Sequence, residues 1–354
     1  MDRRDLLAAG AALGTAGLAG CAGLFETQSA RRGQFTTVED RGPQVYHPTH
    51  SDGMTMIGSG TNGRYRLGLM YSYAHAFWTI TGSDTNRADV GDEETVHLMA
   101  TVWDDETGTV LPSANVSAEV LKGGETVDSR SLWPMLSQNM GYHFGDNMVL
   151  DGDGTYTARI EVGAMQARRL GALRDAFDEG ATIEVEFDHE RSTIGDLPYE
   201  EFPDEKGNAG ALDPAEMDAP IAQVPEPDAL PGTVLGSATS GDAEFVAFRP
   251  DDAPEFVDGG AYLAVSPRTP YNRYPLPFMG LAGTLSRGGE TLFEDRFEPA
   301  VGPEIGYHYG AGVEAVESGD SLALAVNTPP GVARHEGYET AFIDMPEMDL
   351  TLEA

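Results

Sequence analysis

The chain has 354 residues, enough for two domains that each bury a core. Asp and Glu number 58 against 22 Lys and Arg, a formal charge of −36, which excludes nucleic acid as a partner on electrostatic grounds. A hydrophobic content of 40% excludes disorder as the origin of that charge, so the acidity reads as adaptation to molar salt, where screening shortens to about 3 Å and self-repulsion fades.

Residues 1–25, "MDRRDLLAAGAALGTAGLAGCAGLF", set Arg3 and Arg4 ahead of a short apolar run that ends in Leu-Ala-Gly-Cys. This is the pattern of a twin-arginine export signal followed by a lipobox, and the run is too short and alanine-rich for a comfortable membrane span. Cys21 is the single cysteine, so an internal disulfide is excluded and lipidation is its expected role. The remainder is then expected on the extracellular face of the membrane, held by a lipid anchor, with residues 26–43 as a polar tether.

From residue 44 to 190 period-two alternation predicts an all-β domain. In "RYRLGLMYSYAHAF" Tyr65, Leu67, Leu69, Tyr71, Tyr73, His75 and Phe77 share one face of a long half-buried strand. "TVHLMATVW" repeats the pattern, and "SAEVLKGGETVDS" predicts a hairpin turning on Gly123 and Gly124. Only "MQARRLGALRDAF" suggests a helix. Residues 191–232 are proline-rich and acidic with no apolar face, which predicts an extended linker. Strands resume over 233–354.

The two β regions are related. "KGGETVDSRSLWPMLSQNMGYHFGDNMVLDGDG" (122–154) aligns without a gap with "RGGETLFEDRFEPAVGPEIGYHYGAGVEAVESG" (287–319), an offset of 165 with ten identities in 33 positions. The same offset pairs Leu98 with Leu263, and a one-residue adjustment pairs "ARRLG" at 167 with "ARHEG" at 333. The chain therefore reads as two copies of one β-domain.

The chemistry concentrates on histidine and methionine. His143 stands in "GYHFG" and His308 in "GYHYG"; a histidine in such a frame is commonly a hydrogen-bonded packing residue. Yet Met135, Met140 and Met148 lie close to His143, and His75 sits on an aromatic face where an ionisable ring is costly unless bound. Imidazole with thioether favours copper, Cu(I) above all, and imidazole also serves iron and zinc. With no thiolate in the mature chain, a blue-copper centre is excluded.

"AHAF", "WPMLSQNMGYHFGDN", "EPAVGPEIGYHYGAG" and "PPGVARHEGYETAF" together resemble the periplasmic Fe2+-transport protein family over roughly residues 44–190 and 233–354. The resemblance implies two tandem immunoglobulin-like β-sandwich domains and a copper or iron site of histidines and a methionine. It places the ligands on His75, Met135 and His143 in the first copy, with Arg169 standing where the family's Arg-His histidine falls. An arginine cannot donate a lone pair, so His97, His189, His47, His50 or Met54 would have to complete the shell. The second copy carries His308 and His335, but Ala300 replaces the methionine and Ser240 lies near the place of the first histidine. His189 reads more readily as a solvated residue after the last strand than as a ligand. An inter-domain site joining His308 and His335 to first-copy ligands is conceivable.

The expected function is capture of the ion and hand-over to a membrane permease. A structural or adhesive tandem sandwich is the alternative. No nucleophile elbow, paired catalytic carboxylates or phosphate loop points to an enzyme. Whether the chain pairs with a second copy as a homodimer stays open.

Overall fold

A computed structural model describes residues 37–38, 41–112, 114–257 and 259–354. The export-signal and lipidation expectations, Cys21 included, lie outside the described residues. The first run of strands is β1 (His50–Asp52), β2 (Thr55–Asn62), β3 (Tyr65–Tyr73), β4 (Phe77–Thr81), β5 (Asp84–Ala88), β6 (Val96–Asp104), β7 (Val116–Lys122), β8 (Glu125–Ser137), β9 (Gly141–Met148), β10 (Gly154–Val162), β11 (Arg168–Arg169) and β12 (Ala181–His189). A short helix α1 (Arg191–Gly195) and β13 (Tyr199–Glu201) come next. The second run is β14 (Gly232–Ser240), β15 (Ala243–Pro250), β16 (Ala261–Arg268), β17 (Gly280–Arg287), β18 (Glu290–Arg296), β19 (Glu298–Gly302), β20 (Gly306–Val313), β21 (Ser321–Thr328), β22 (Ala333–Arg334) and β23 (Met348–Thr351).

The fold is all-β, and β8 explains how its sheets become sandwiches. Up to Leu132 it pairs with β7; from Trp133 onward it pairs with β9, so one strand turns the corner between two layers. One layer runs β8-β9-β6-β3-β2 and the other β12-β10-β7-β8. The outer strands β7, β10 and β12 alternate buried and exposed residues, as strands with one wet face should. β6 is buried at all nine positions, because its layer is covered on both sides. The predicted hairpin forms, with Gly123 and Gly124 at φ 61° and 86° in the left-handed region that glycine adopts without strain.

The second run repeats this plan with β18 and β19 divided at Phe297: β19-β20-β16-β15-β14 form one layer and β18-β17-β21-β23 the other. The registers repeat as well. Met135 faces His143 across β8 and β9, and 165 positions on Ala300 faces His308 across β19 and β20. Gly58 faces Leu69 after a bulge in β2; 178 positions on, Gly236 faces Ala247 after a bulge in β14. The 13-residue difference matches the β4–β5 hairpin, which has no counterpart among the described residues of the second run.

Three expectations change. β3 ends at Tyr73, so His75 stands in the following loop rather than on a strand face. "MQARRLGALRDAF" forms no α-helix: Arg168 and Arg169 pair with β19, and Gly171, at φ 57°, opens only a single 3-10 turn over Gly171–Leu173. Residues 191–232, expected to be extended, pack along both runs. β13 pairs with β1, Ala215 N donates to Asn139 O and Val224 N to Arg273 O, and Ala219, Val224 and Leu230 are buried.

Two short strands cross between the runs. β22 lies parallel to β8, placing Ala333 opposite Met135 and Arg334 opposite Leu136, and β11 lies parallel to β19. Arg334 is fully buried and donates to the carbonyls of Pro330, Tyr338, Ala341 and Phe342, pinning the loop that carries His335. Burial lowers its guanidinium to about 9, still charged at neutral pH. Arg334→Leu leaves those carbonyls without a donor and is expected to cost about 3 kcal/mol, measured by chemical denaturation of the apoprotein.

Candidate metal centre

β6, β8 and β9 are neighbours in one layer, and their register brings their polar side chains to one end of it. His97 on β6, Met135 on β8 and His143 on β9 are all at most 1% exposed. His75 enters from the loop after β3, and His335 from the residue after β22, its N–H donating to Leu136 O at 3.1 Å. The four imidazoles form one nest. Ring centroids are 4.2 Å apart for His75 and His97, 4.9 Å for His75 and His335, and 5.3 Å for His143 and His335.

One nitrogen of each first-run ring is committed to a fixed acceptor. His75 Nδ1 donates to Tyr73 O at 2.9 Å, His97 Nδ1 to Asn147 Oδ1 at 2.9 Å and His143 Nδ1 to Gly141 O at 3.1 Å. Asn147 Nδ2 donates to His75 O, which fixes its Oδ1 as the acceptor for His97. These bonds select the Nδ1–H tautomer and leave each Nε2 as a lone pair. Nε2 of His97, His143 and His335 is buried with no hydrogen-bond partner, while His75 Nε2 lies 3.0 Å from His335 Nδ1.

The thioether borders the same space. A β-carbon on Gly145 would come within 2.9 Å of His97 Nε2 and 3.1 Å of Met135 Sδ. One nitrogen each from His75, His97 and His335 lies within 4.8 Å of the others, the spread a single ion can bridge. Bare imidazole lone pairs beside a thioether, without a carboxylate among them, fit a soft or borderline transition-metal ion.

Electrostatics agree. Burial lowers His75, pushes His97 and His335 well below the ordinary imidazole range with neighbouring rings adding to it, and holds His143 at about 4. Neutral rings are the ligating form. At the mouth, Asp52 Oδ2 stands 3.7 Å from His75 Nδ1 and 3.7 Å from His50 Nε2, and Glu336 approaches the other side of His50.

Of the residues singled out in the sequence, His75, Met135, His143, His97 and His335 come together here. The others do not join them. His50 is at the mouth, Met54 lines a separate cleft with Met56, Met70 and Met217, and His189, read as solvated, is buried against the rings of Tyr71 and Tyr156. His308 keeps the bond of His143, Nδ1 to Gly306 O at 3.1 Å, but its Nε2 meets the Tyr262 hydroxyl at 3.2 Å. His47 packs its Nε2 beside Gly210.

Registers also revise two alignments. Leu170 N donates to Val301 O as His335 N does to Leu136 O, so Leu170, not Arg169, is the counterpart of His335. Continuing the 178-residue offset of β2 and β3 puts Ala253, not Ser240, in the place of His75. The reason is the β4–β5 hairpin, which shifts the spacing between the two parts of each run. The sequence underweighted His97; the 165-residue offset sets it against Tyr262, a buried centre-of-strand position where a histidine is conspicuous. Asn147 and Gly145 gave no signal as supporting residues.

Residues 81–189 match the Fe2+ transport protein family, and residues 228–351 match a domain of unknown function, DUF7350. Among solved structures, the chain is similar to FetP of a uropathogenic E. coli strain, with 17% identity over 39% of this chain and 96% of that one and a TM-score of 0.31. It is also similar to a copper-bound variant of Campylobacter jejuni P19, with 15% identity over 39% of this chain and 98% of that one and a TM-score of 0.29. No curated protein matches the chain.

This geometry has two testable outcomes. Gly145→Ala should weaken metal binding at least tenfold, read by competition with a chromophoric chelator, because its methyl intrudes on both donors. Separately, His308, lowered by burial to about 4, stays neutral in the fold while the unfolded chain protonates near 6.5. Its contribution is complete above about pH 6.5 and is lost as pH falls toward 4, about 3 kcal/mol in all. Urea unfolding of the apoprotein across that window should show the loss, and His308→Phe should make it shallower by that amount, the buried histidines of the nest keeping their own share.

Proposed function

We propose that the protein captures a copper or iron ion in the nest and passes it to a membrane permease, working outside the cell from a lipid anchor after twin-arginine export. The observation that carries this reading is a group of histidine nitrogens, from His75, His97 and His335, within 4.8 Å of one another, with Met135 Sδ beside His97 Nε2 and with Nε2 of His97, His143 and His335 buried and partnerless. Buried polar atoms without partners cost about 1–3 kcal/mol each, and an ion that takes all three lone pairs removes that cost at once. The match of residues 81–189 to the Fe2+ transport protein family supports iron as cargo; the nitrogen and sulfur donors support Cu(I) binding more strongly than Fe(II).

The site suits carriage better than turnover. His335 is partly exposed, and His75, 9% exposed, sits beside Asp52 and His50, so an ion can enter and leave through a polar mouth. The acidic surface concentrates cations in dilute salt and keeps the protein dispersed in concentrated salt.

Elemental analysis of untagged protein purified in molar salt should give one copper or iron per chain after loading. His97→Ala with His143→Ala should lower Cu(I) affinity at least a hundredfold while circular dichroism stays that of an all-β protein. Wild-type stoichiometry and affinity in that folded double variant would overturn the reading.

A further inference from the structure

The repeated registers invite a position-by-position comparison of the nest with the same place in the second run. Met135 corresponds to Ala300 and His143 to His308, since each pair faces across equivalent strands. His97 corresponds to Tyr262: Leu98 and Leu263, the next residues along, lie opposite Asp146 and Ala311, again 165 apart. His335 corresponds to Leu170 by the backbone bonds each makes. The exchange is reciprocal. The strand after the first sandwich, β11, lies on β19 of the second, and the strand after the second, β22, lies on β8 of the first.

We propose that the chain is a covalently joined pseudo-dimer, in which each sandwich lends a short strand to the other's site, and that the second site is a silenced metal centre plugged by the Tyr262 hydroxyl. The proposal rests on the nest being a metal site.

Only one donor survives at the second site. His308 is fully buried and holds its Nδ1–H on Gly306 O at the same 3.1 Å that His143 keeps to Gly141 O, so its Nε2 presents the same lone pair. At His143 that atom has no partner; at His308 the Tyr262 hydroxyl donates to it across 3.2 Å. Tyr262 is itself 1% exposed, and a β-carbon on Gly310, the counterpart of Gly145, would overlap its hydroxyl. The phenol therefore occupies the place beside Gly310 where His97 Nε2 and Met135 Sδ border Gly145. Around it, Phe248, Val246, Leu230 and the partly buried Leu170 form a separate apolar cluster, which offers an ion nothing.

This arrangement accounts for the retained Gly-Tyr-His frame in a site that lacks donors: the histidine is kept as the acceptor for a buried tyrosine. It also assigns the second sandwich a task in the first site, the delivery of His335 on β22 against Met135.

Two measurements test it. The first titrates the full wild-type chain with Cu(I) under anaerobic conditions and monitors the imidazole 15N signals. The first equivalent should shift His143 Nε2 and leave His308 Nε2 unmoved, with no second equivalent taken up. Movement of His308 with binding of a second ion overturns the silenced site; absence of any binding overturns the metal reading itself, and this inference with it. The second rebuilds the donors as Tyr262→His, Ala300→Met and Leu170→His, after which the folded chain should bind two Cu(I) instead of one. A folded triple variant that still binds one contradicts the equivalence of the two sites, and if the variant does not fold, the wild-type titration decides alone.

Discussion

The imidazoles of His97 and His143 are each held by one nitrogen and left bare at the other. Hydrogen bonds from Nδ1 to Tyr73 O, to Asn147 Oδ1 and to Gly141 O fix ring orientation and tautomer together, so the lone pairs of Nε2 point inward without choice. Nothing among the described residues satisfies those of His97 and His143. Burial keeps the rings neutral, and neutrality keeps them able to ligate. The rest of the molecule can be read as the means of holding this unsatisfied cluster together.

The means are mostly backbone register. The corner in β8 lets one strand join the two layers and still place Met135 opposite His143. Gly145 removes the one methyl that would separate sulfur from nitrogen. His335 arrives from 260 positions beyond His75, on a loop fastened by the Arg334 guanidinium and strapped by the N-terminal segment. Within that strap, Tyr46 N donates to Gly337 O, Thr49 donates to Glu336, and the Tyr46 hydroxyl meets buried Glu339.

Period-two patterning made the strands legible, and the Gly-Gly turn made a hairpin legible, because both arise from local chemistry. The pairing of Met135 with His143 was within reach for the same reason: a hairpin of known turn fixes its own register. His335 was not assignable to the first site from sequence, since its place depends on a two-residue strand crossing between sandwiches. Linear alignment misplaced the partners of His75 and His335 because the β4–β5 hairpin changes the spacing in one copy only. The proline-rich segment looked free because its contacts are backbone bonds and isolated apolar residues, Ala219, Val224 and Leu230, which leave no periodic signal. His189 looked solvated because its burial comes from the rings of distant strands.

The central claim is that two sandwiches together surround a single ion with imidazole and thioether. Anomalous diffraction at the copper edge, on crystals of the loaded protein, tests it most directly. The account predicts one strong peak in the nest, held by nitrogens from among His75, His97, His143 and His335 and by the sulfur of Met135. A peak at another place, or one in the nest with Met135 turned away and His335 uninvolved, would contradict it.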